Sequence, residues 1–361
     1  MKAVRMYAPG DLRVEEVSIP EIEEDEVLVK VMAVGICGSD IPRANKYGAH
    51  VSPIILGHEF GGIIVKKGEK AGNFEVGDHV TATPLIPCYS CHWCREGQYS
   101  LCDHYDYYGS RRDGAMAQYI AVKTSNLLKV DRKVPFEDIA TVDPCANALH
   151  AMFKAGFRPG ETVCIFGAGA IGLFAVQYAK IQGAGKIITV DVWDKKLIMA
   201  KEAGADCVMN SLHTDVIQEV KDVTGGIGAD VVIDFSGSPA AQKQCIRCAR
   251  KQGKVVLLGI SHQGLALSEE EVDYVMRSEI EIVGSWNSFT KPFPGRDWTE
   301  SIKLYENGMS AKGIISHRIG LEDVPEVFKK IDAGGYFFSK IMIFQTVRRQ
   351  HEREQRDIKA Y

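Results

Sequence analysis

ETVCIFGAGAIGLFAVQYAKIQGAGKIITVD, residues 161–191, is the stretch on which the fold turns. An apolar, strand-like run leads into Gly167, Gly169 and Gly172 in G-x-G-x-x-G spacing, and a helix-like segment follows. Glycines at this spacing permit a tight turn, let backbone approach a pyrophosphate and allow close helix packing, while the helix N-terminus favours phosphate charge. The second strand, KIITVD, ends at Asp191, about twenty residues beyond the fingerprint, where a carboxylate can accept the ribose hydroxyls of a dinucleotide. A carboxylate there repels a 2′-phosphate, and Val192 and Trp193 offer no arginine to receive one. The expected cofactor is therefore NAD. The bland alternative for Asp191 is a strand-end turn residue.

Outward from this stretch, ADVVIDFSG and GKVVLLGI alternate with helix-like segments, the pattern of a parallel sheet covered on both faces. Ser236 and Gly259 fall at the C-terminal ends of these strands, where open α/β sheets bind ligands. At 361 residues the chain exceeds the usual size of one core. The expected organisation is a catalytic domain over residues 1–147, built of short strands and Gly/Pro turns, a dinucleotide domain over 148–285, and a return to the first domain over 286–345. The segment 346–361 reads as a charged, solvated tail. A hydrophobic content of 45%, a charged content of 25% and 35 glycines describe a globular protein. The net charge of −4 lacks the basic excess of nucleic-acid binders. No run approaches the roughly 18 apolar residues of a membrane span. MKAVRMYAPGDLRVEEV carries charges where a signal peptide needs an apolar stretch, so a cytoplasmic chain with reduced thiols is expected.

Thiols in a reducing compartment point to metal. CYSCHWCREGQYSLC places Cys88, Cys91, Cys94 and Cys102 within residues 88–102. Four thiolates complete a tetrahedral zinc shell and leave no open position, which marks a structural lobe. An iron–sulfur cluster or an unmetallated group of cysteines are the alternatives. Cys245 and Cys248 form a second C-x-x-C, on a helix-like segment without a second pair, and read as bystanders. Upstream, Cys37 ends the run VLVKVMAVGIC, and His58 and Glu59 follow Gly57. With Asp143, in TVDPCANALH, they make a mixed thiolate, imidazole and carboxylate set suited to zinc with one position open. Cys145 is a competing ligand. Taken singly, Cys37 and His58 read as packing residues; their combination with the nearby lobe reverses that reading.

The order Cys37-Gly-Ser-Asp, Gly57-His58-Glu59, four-cysteine lobe, Asp143-Pro and glycine fingerprint resembles the zinc-dependent medium-chain alcohol and polyol dehydrogenases, over residues 1 to about 345. The resemblance implies an α/β protein, a Rossmann doubly wound parallel sheet joined to a GroES-like β-barrel catalytic domain. It also implies an alcohol polarised by zinc and oxidised by hydride transfer to NAD, in a homodimer or homotetramer. GSDIPRANKYGAH, YDYYGSRRDGAMAQY and IVGSWNSFTKPFPGRDW are similar to the polyol-phosphate branch, with galactitol 1-phosphate the leading substrate. DPCANALH is closer to the threonine dehydrogenases, which stand beside unphosphorylated polyol dehydrogenases as alternatives. In this reading Asp143 stands where alcohol dehydrogenases place a second cysteine, and Glu59 binds zinc or alternates with water. Ser39 is the first proton acceptor. Pro42 stands where many members carry histidine, leaving His50 as the nearest substitute. Arg43, Arg111 and Arg112 are candidate phosphate donors, and Trp286 and Asn287 candidate pocket walls. A zinc-ribbon nucleic-acid binder leaves Gly167 to Asp191 unexplained, and a zinc-free quinone reductase would lack Cys37 and His58.

Overall fold

A computed structural model describes residues 1–261 and 263–345; the tail 346–361 lies outside the described residues. The chain divides into two units, one of Met1–Asp143 with Phe289 onward, the other Pro144–Ser288. These boundaries fall at 143/144 and 288/289, against 147/148 and 285/286 read from the sequence. No helix among the described residues is long and apolar enough to cross a membrane.

The dinucleotide stretch folds as the centre of a six-stranded sheet. Its strand order is Cys207–Asn210, Lys186–Asp191, Thr162–Phe166, Ala229–Asp234, Ala249–Leu257, Glu281–Gly284, and every pairing is parallel. Val163, Cys164 and Ile165 are fully buried, as expected of a central parallel strand covered on both faces. Helices Ala170–Ile181, Asp194–Ala203, Val216–Val223 and Pro239–Cys248 connect successive strands. Cys245 and Cys248 are packing residues in this core beside Cys164, Phe166 and Val232.

In the other unit a seven-stranded sheet runs Leu127–Lys129, His79–Ala82, Glu59–Lys67, Glu26–Gly35, Lys340–Phe344, Ile315–Gly320, with Tyr119–Lys123 also paired to Glu26–Gly35. The strand Glu26–Gly35 reads EVLVKVMAVG and is almost wholly buried, and it pairs with three others, Glu59–Lys67, Tyr119–Lys123 and Lys340–Phe344. The C-terminal strand Lys340–Phe344 joins it antiparallel, Met342 opposite Gly35. A three-stranded sheet of Asp11–Glu16, Lys2–Ala8 and Ile54–Ile55 packs into the same apolar core.

Candidate active site

Register brings the first metal set together. Gly35 pairs with Glu59 across the antiparallel ladder, so Cys37, just past one strand's end, and His58, just before the next strand's start, meet at one end of the sheet. The donor atoms of Cys37, His58 and Glu59 all lie within 4.8 Å of one another. His58 Nε2 stands 3.8 Å from Asp143 Oδ2, on the buried first turn of helix Val142–Ala155. That gap is too long for a hydrogen bond, yet one metal ion at about 2.1 Å from each atom can join them.

Burial alone would lower the His58 pKa, but the Asp40 carboxylate and then the Cys37 sulfur outweigh it and raise the value to about 10. Its Nδ1 is buried without a hydrogen-bond partner among the described residues, 3.6 Å from Asp40 Oδ1. So much negative charge around one imidazole suits a cation, and a thiolate, an imidazole and carboxylates are zinc donors. Glu59 is also held by Lys340, whose ammonium donates to Oε2 at 2.6 Å. Cys145 is fully buried two positions further along the helix Val142–Ala155.

Residues the sequence reading missed support this set. Asp40 is fully buried; it accepts from the Cys37 amide at 3.1 Å and from Arg43 at 3.1 Å. Tyr107 packs edge-on against His58, ring centroids 5.5 Å apart, and burial pushes its phenol well above the usual range. Asp40 lay inside one quoted motif, three positions after Cys37, and Tyr107 inside another, YDYYGSRRDGAMAQY, without a role given to either; Lys340 left no sequence signal.

Among the remaining candidates, the Ser39 hydroxyl donates to Cys37 Sγ at 3.3 Å. His50 is exposed, and its amide donates to the Ser110 carbonyl at 3.1 Å, tying its loop to the one carrying Arg111. Burial, then the charges of Arg111 and Arg43, hold its imidazole below the usual value. Arg111 lies over the Tyr105 ring at 4.7 Å, and its Nε is buried with no hydrogen-bond partner among the described residues. Arg112 points its charge elsewhere, to Asp106 at 2.6 Å and Glu26 at 4.0 Å. The sequence could not separate these two neighbours.

The four-cysteine lobe forms a second set, its sulfurs all within 4.8 Å of one another. Cys88 and Cys94 sulfurs are 3.9 Å apart, against about 3.8 Å for two thiolates at 2.3 Å from one tetrahedral zinc. Hydrogen bonds from the Ser90 side chain and backbone, then the Cys91 amide, lower the Cys88 pKa to about 5, whereas burial pushes Cys94 upward. Four thiolates this close need a bound cation to share their charge.

In the second unit, Gly167 has φ +93°, and a Cβ there would meet the Ser236 amide nitrogen at 2.9 Å. A Cβ at Gly172 would run into the Gly167 carbonyl. Gly169 differs: a Cβ there meets nothing within 4 Å, leaving its amide, at the start of helix Ala170–Ile181, open to a phosphate. A cavity of about 600 Å³ runs past Gly167, Gly169, Asp191, Trp193 and Ser236. Asp191 accepts from the Ala168 and Trp193 amides at 2.7 and 2.9 Å. The Ser236 hydroxyl donates to Asp234 at 2.6 Å, and the Gly259 amide to the Asp234 carbonyl at 2.9 Å. Asp234, buried and unnoticed in the sequence, thus organises both loops. Trp286 is half exposed and Asn287 has φ +51°, just after the edge strand Glu281–Gly284.

A six-stranded parallel sheet with an open glycine turn, in a chain that also builds one closed and one open set of metal donors, defines a metal-dependent dehydrogenase. The comparisons agree. A zinc-binding dehydrogenase model matches residues 170–307, and an alcohol dehydrogenase GroES-like domain model matches residues 23–132. Galactitol 1-phosphate 5-dehydrogenase of Escherichia coli (strain K12) is 37% identical over 333 residues, 92% of this chain and 96% of its own length. The crystal structure of galactitol-1-phosphate dehydrogenase from Escherichia coli aligns with a TM-score of 0.91 at 35% identity, over 95% of this chain and all of that one. Sorbitol dehydrogenase of Bacillus subtilis (strain 168) is 33% identical, over 91% of this chain and 93% of its own length. A zinc-binding dehydrogenase from Sinorhizobium meliloti 1021, solved bound to NADP, aligns with a TM-score of 0.88 at 31% identity, over 95% and 98% of the two chains. This chain belongs to the zinc-binding medium-chain dehydrogenase family. It is a zinc-dependent oxidoreductase of the alcohol and polyol type.

Proposed function

We propose that the protein oxidises a secondary alcohol of a polyol phosphate, galactitol 1-phosphate foremost, to a ketose phosphate with NAD as hydride acceptor. Zinc held by Cys37, His58 and an acidic ligand, for which Asp143 stands beside His58, would polarise the substrate hydroxyl and lower its pKa. NAD, held at Gly169 and Asp191, would supply the nicotinamide that takes the hydride. Ser39, whose hydroxyl already lies against the Cys37 sulfur, receives the alcohol proton. Pro42 cannot carry it further, and His50, held below its usual pKa, is neutral near pH 7 and able to accept it.

The observation that carries the phosphate is the Arg111 Nε, buried and without a partner among the described residues. A guanidinium planted on an aromatic ring presents a rigid fork suited to phosphate oxygens. Arg43 is fixed nearby in the electrostatic sense, since it and Arg111 both act on His50, and its own position is set by Asp40. Identity to galactitol 1-phosphate 5-dehydrogenase supports the same substrate class. The test is NAD reduction with galactitol 1-phosphate, galactitol, sorbitol and threonine. The phosphorylated polyol is expected to show the highest kcat/KM, by roughly tenfold or more. Equal efficiency for galactitol and its phosphate would assign a free polyol, and a faster rate with threonine would assign an amino-alcohol substrate.

Cofactor choice follows from Asp191. Asp191→Ala removes both the ribose hydroxyl acceptor and the repulsion of a 2′-phosphate. The ratio of efficiencies with NAD and NADP is expected to fall roughly tenfold to a hundredfold, the worth of a hydrogen bond to a charged group. An unchanged ratio would confine Asp191 to ordering the Ala168 and Trp193 amides.

A further inference from the structure

A line of rings leads from the metal donors to the turn that carries Arg111. Tyr107 sits edge-on to His58 with ring centroids 5.5 Å apart, Tyr105 sits edge-on to Tyr107 at 6.2 Å, and the Arg111 guanidinium lies over the Tyr105 ring at 4.7 Å. Backbone ties the same two places together. Tyr107 pairs with the fully buried Leu85 in a short antiparallel ladder, and its carbonyl accepts from the amides of Ser110, Arg111 and Arg112 at 3.3, 2.9 and 3.2 Å. One residue thus anchors the Arg111 turn and packs on the imidazole offered to the metal.

None of this needs the Tyr107 oxygen, since phenylalanine would make the same edge contact. The side chain lies deep in its unit yet is only part-buried, and its hydroxyl bonds to no group among the described residues. The charges that act on it most strongly are those of Asp143 and Cys37, followed by Arg43 and Asp40. The phenol therefore stands among the groups of the candidate active site. A tyrosine hydroxyl so enclosed ordinarily has a hydrogen-bond partner, and a neutral phenol both donates and accepts. Another hydroxyl fits both capacities. A polyol presents one on the carbon next to the reacting carbinol, where a simple secondary alcohol presents only hydrogen.

We infer that Tyr107 is a specificity-determining residue whose phenol binds the substrate hydroxyl next to the reacting carbinol, between the metal and Arg111, and so selects polyols over alcohols with a single hydroxyl. This rests on the polyol phosphate reading of the proposed function.

The experiment measures NAD reduction by native enzyme, Tyr107→Phe and Arg111→Ala with galactitol 1-phosphate, galactitol, 2,3-butanediol and 2-butanol. The last two share a carbon frame and differ by one hydroxyl. Native enzyme should favour the diol over 2-butanol by roughly five- to tenfold, and Tyr107→Phe should bring the two within about twofold of each other. With galactitol 1-phosphate the same variant should raise KM roughly five- to tenfold at little cost to kcat, the signature of a lost binding contact. Arg111→Ala should leave the diol preference at its native value. Equal loss on 2,3-butanediol and 2-butanol, or a fall in kcat as large as the rise in KM, would overturn the inference, because the ring would then serve only to orient His58. An unchanged KM for galactitol 1-phosphate in Tyr107→Phe would also overturn it. So would a native enzyme that turns over 2-butanol as well as the diol, and that arm decides without any variant. Native efficiency equal for galactitol and its phosphate, with the diol preference still lost in Tyr107→Phe, would overturn the phosphate reading alone. Turnover of none of the four alcohols would overturn both.

Discussion

Cys37→Ala will give a folded protein whose NAD reduction is roughly a thousandfold slower than native, the scale set by losing several kcal/mol of Lewis-acid stabilisation. The sulfur is only part-buried, it follows the end of its strand, and the apolar core beneath it does not depend on it. Cys94→Ser should do the reverse. Cys94 is 5% exposed inside a closed four-thiolate set, and its loss removes binding energy that is also folding energy. A lower unfolding midpoint, loss of one zinc per chain and retained chemistry in whatever fraction stays folded are expected. Thermal unfolding and elemental analysis on both variants check the division. Equal loss of folding in the two would contradict it.

Arg111→Ala should lower kcat/KM for galactitol 1-phosphate by roughly tenfold to a hundredfold, about 1.5 to 3 kcal/mol, while galactitol itself changes little. The guanidinium is stacked on Tyr105 and carries a buried Nε with no partner among the described residues, so it is preorganised and retains donor capacity. Arg112→Ala is the internal control. Its charge is matched by Asp106, and its removal should leave the ratio of the two substrates within about twofold, as for a charge outside the site. Steady-state kinetics on both variants with both substrates separate these outcomes. A proportionate loss on galactitol would mean that Arg111 shapes the loop rather than contacting phosphate.

What could be read in the sequence was what lies close together along the chain. Gly167, Gly169, Gly172 and Asp191 fall within one strand–helix–strand unit, so spacing alone placed them at the turn and the strand end of one parallel sheet. The lobe likewise keeps its four sulfurs within fifteen residues. Cys37 and His58 were legible as types, but the ladder pairing Gly35 with Glu59 is what makes them neighbours. Lys340 was beyond reach: 281 positions separate it from Glu59, and an isolated lysine at a strand's start looks like any solvated cation. Asp40 stood in plain view beside Cys37, yet only burial against His58 shows that its carboxylate sets the imidazole's charge. Arg111 and Arg112 are equivalent in sequence and are told apart by their partners.

The most direct test of the account is a zinc titration of activity on protein stripped of metal and refilled stepwise. The four-thiolate lobe closes its shell and should fill first, leaving the chain inactive up to one zinc per chain. NAD reduction with galactitol 1-phosphate should then rise in proportion to metal between one and two zinc per chain. Full activity at one zinc per chain or fewer, or activity in metal-free protein, would contradict the assignment of Cys37, His58 and their acidic neighbour as the catalytic zinc site.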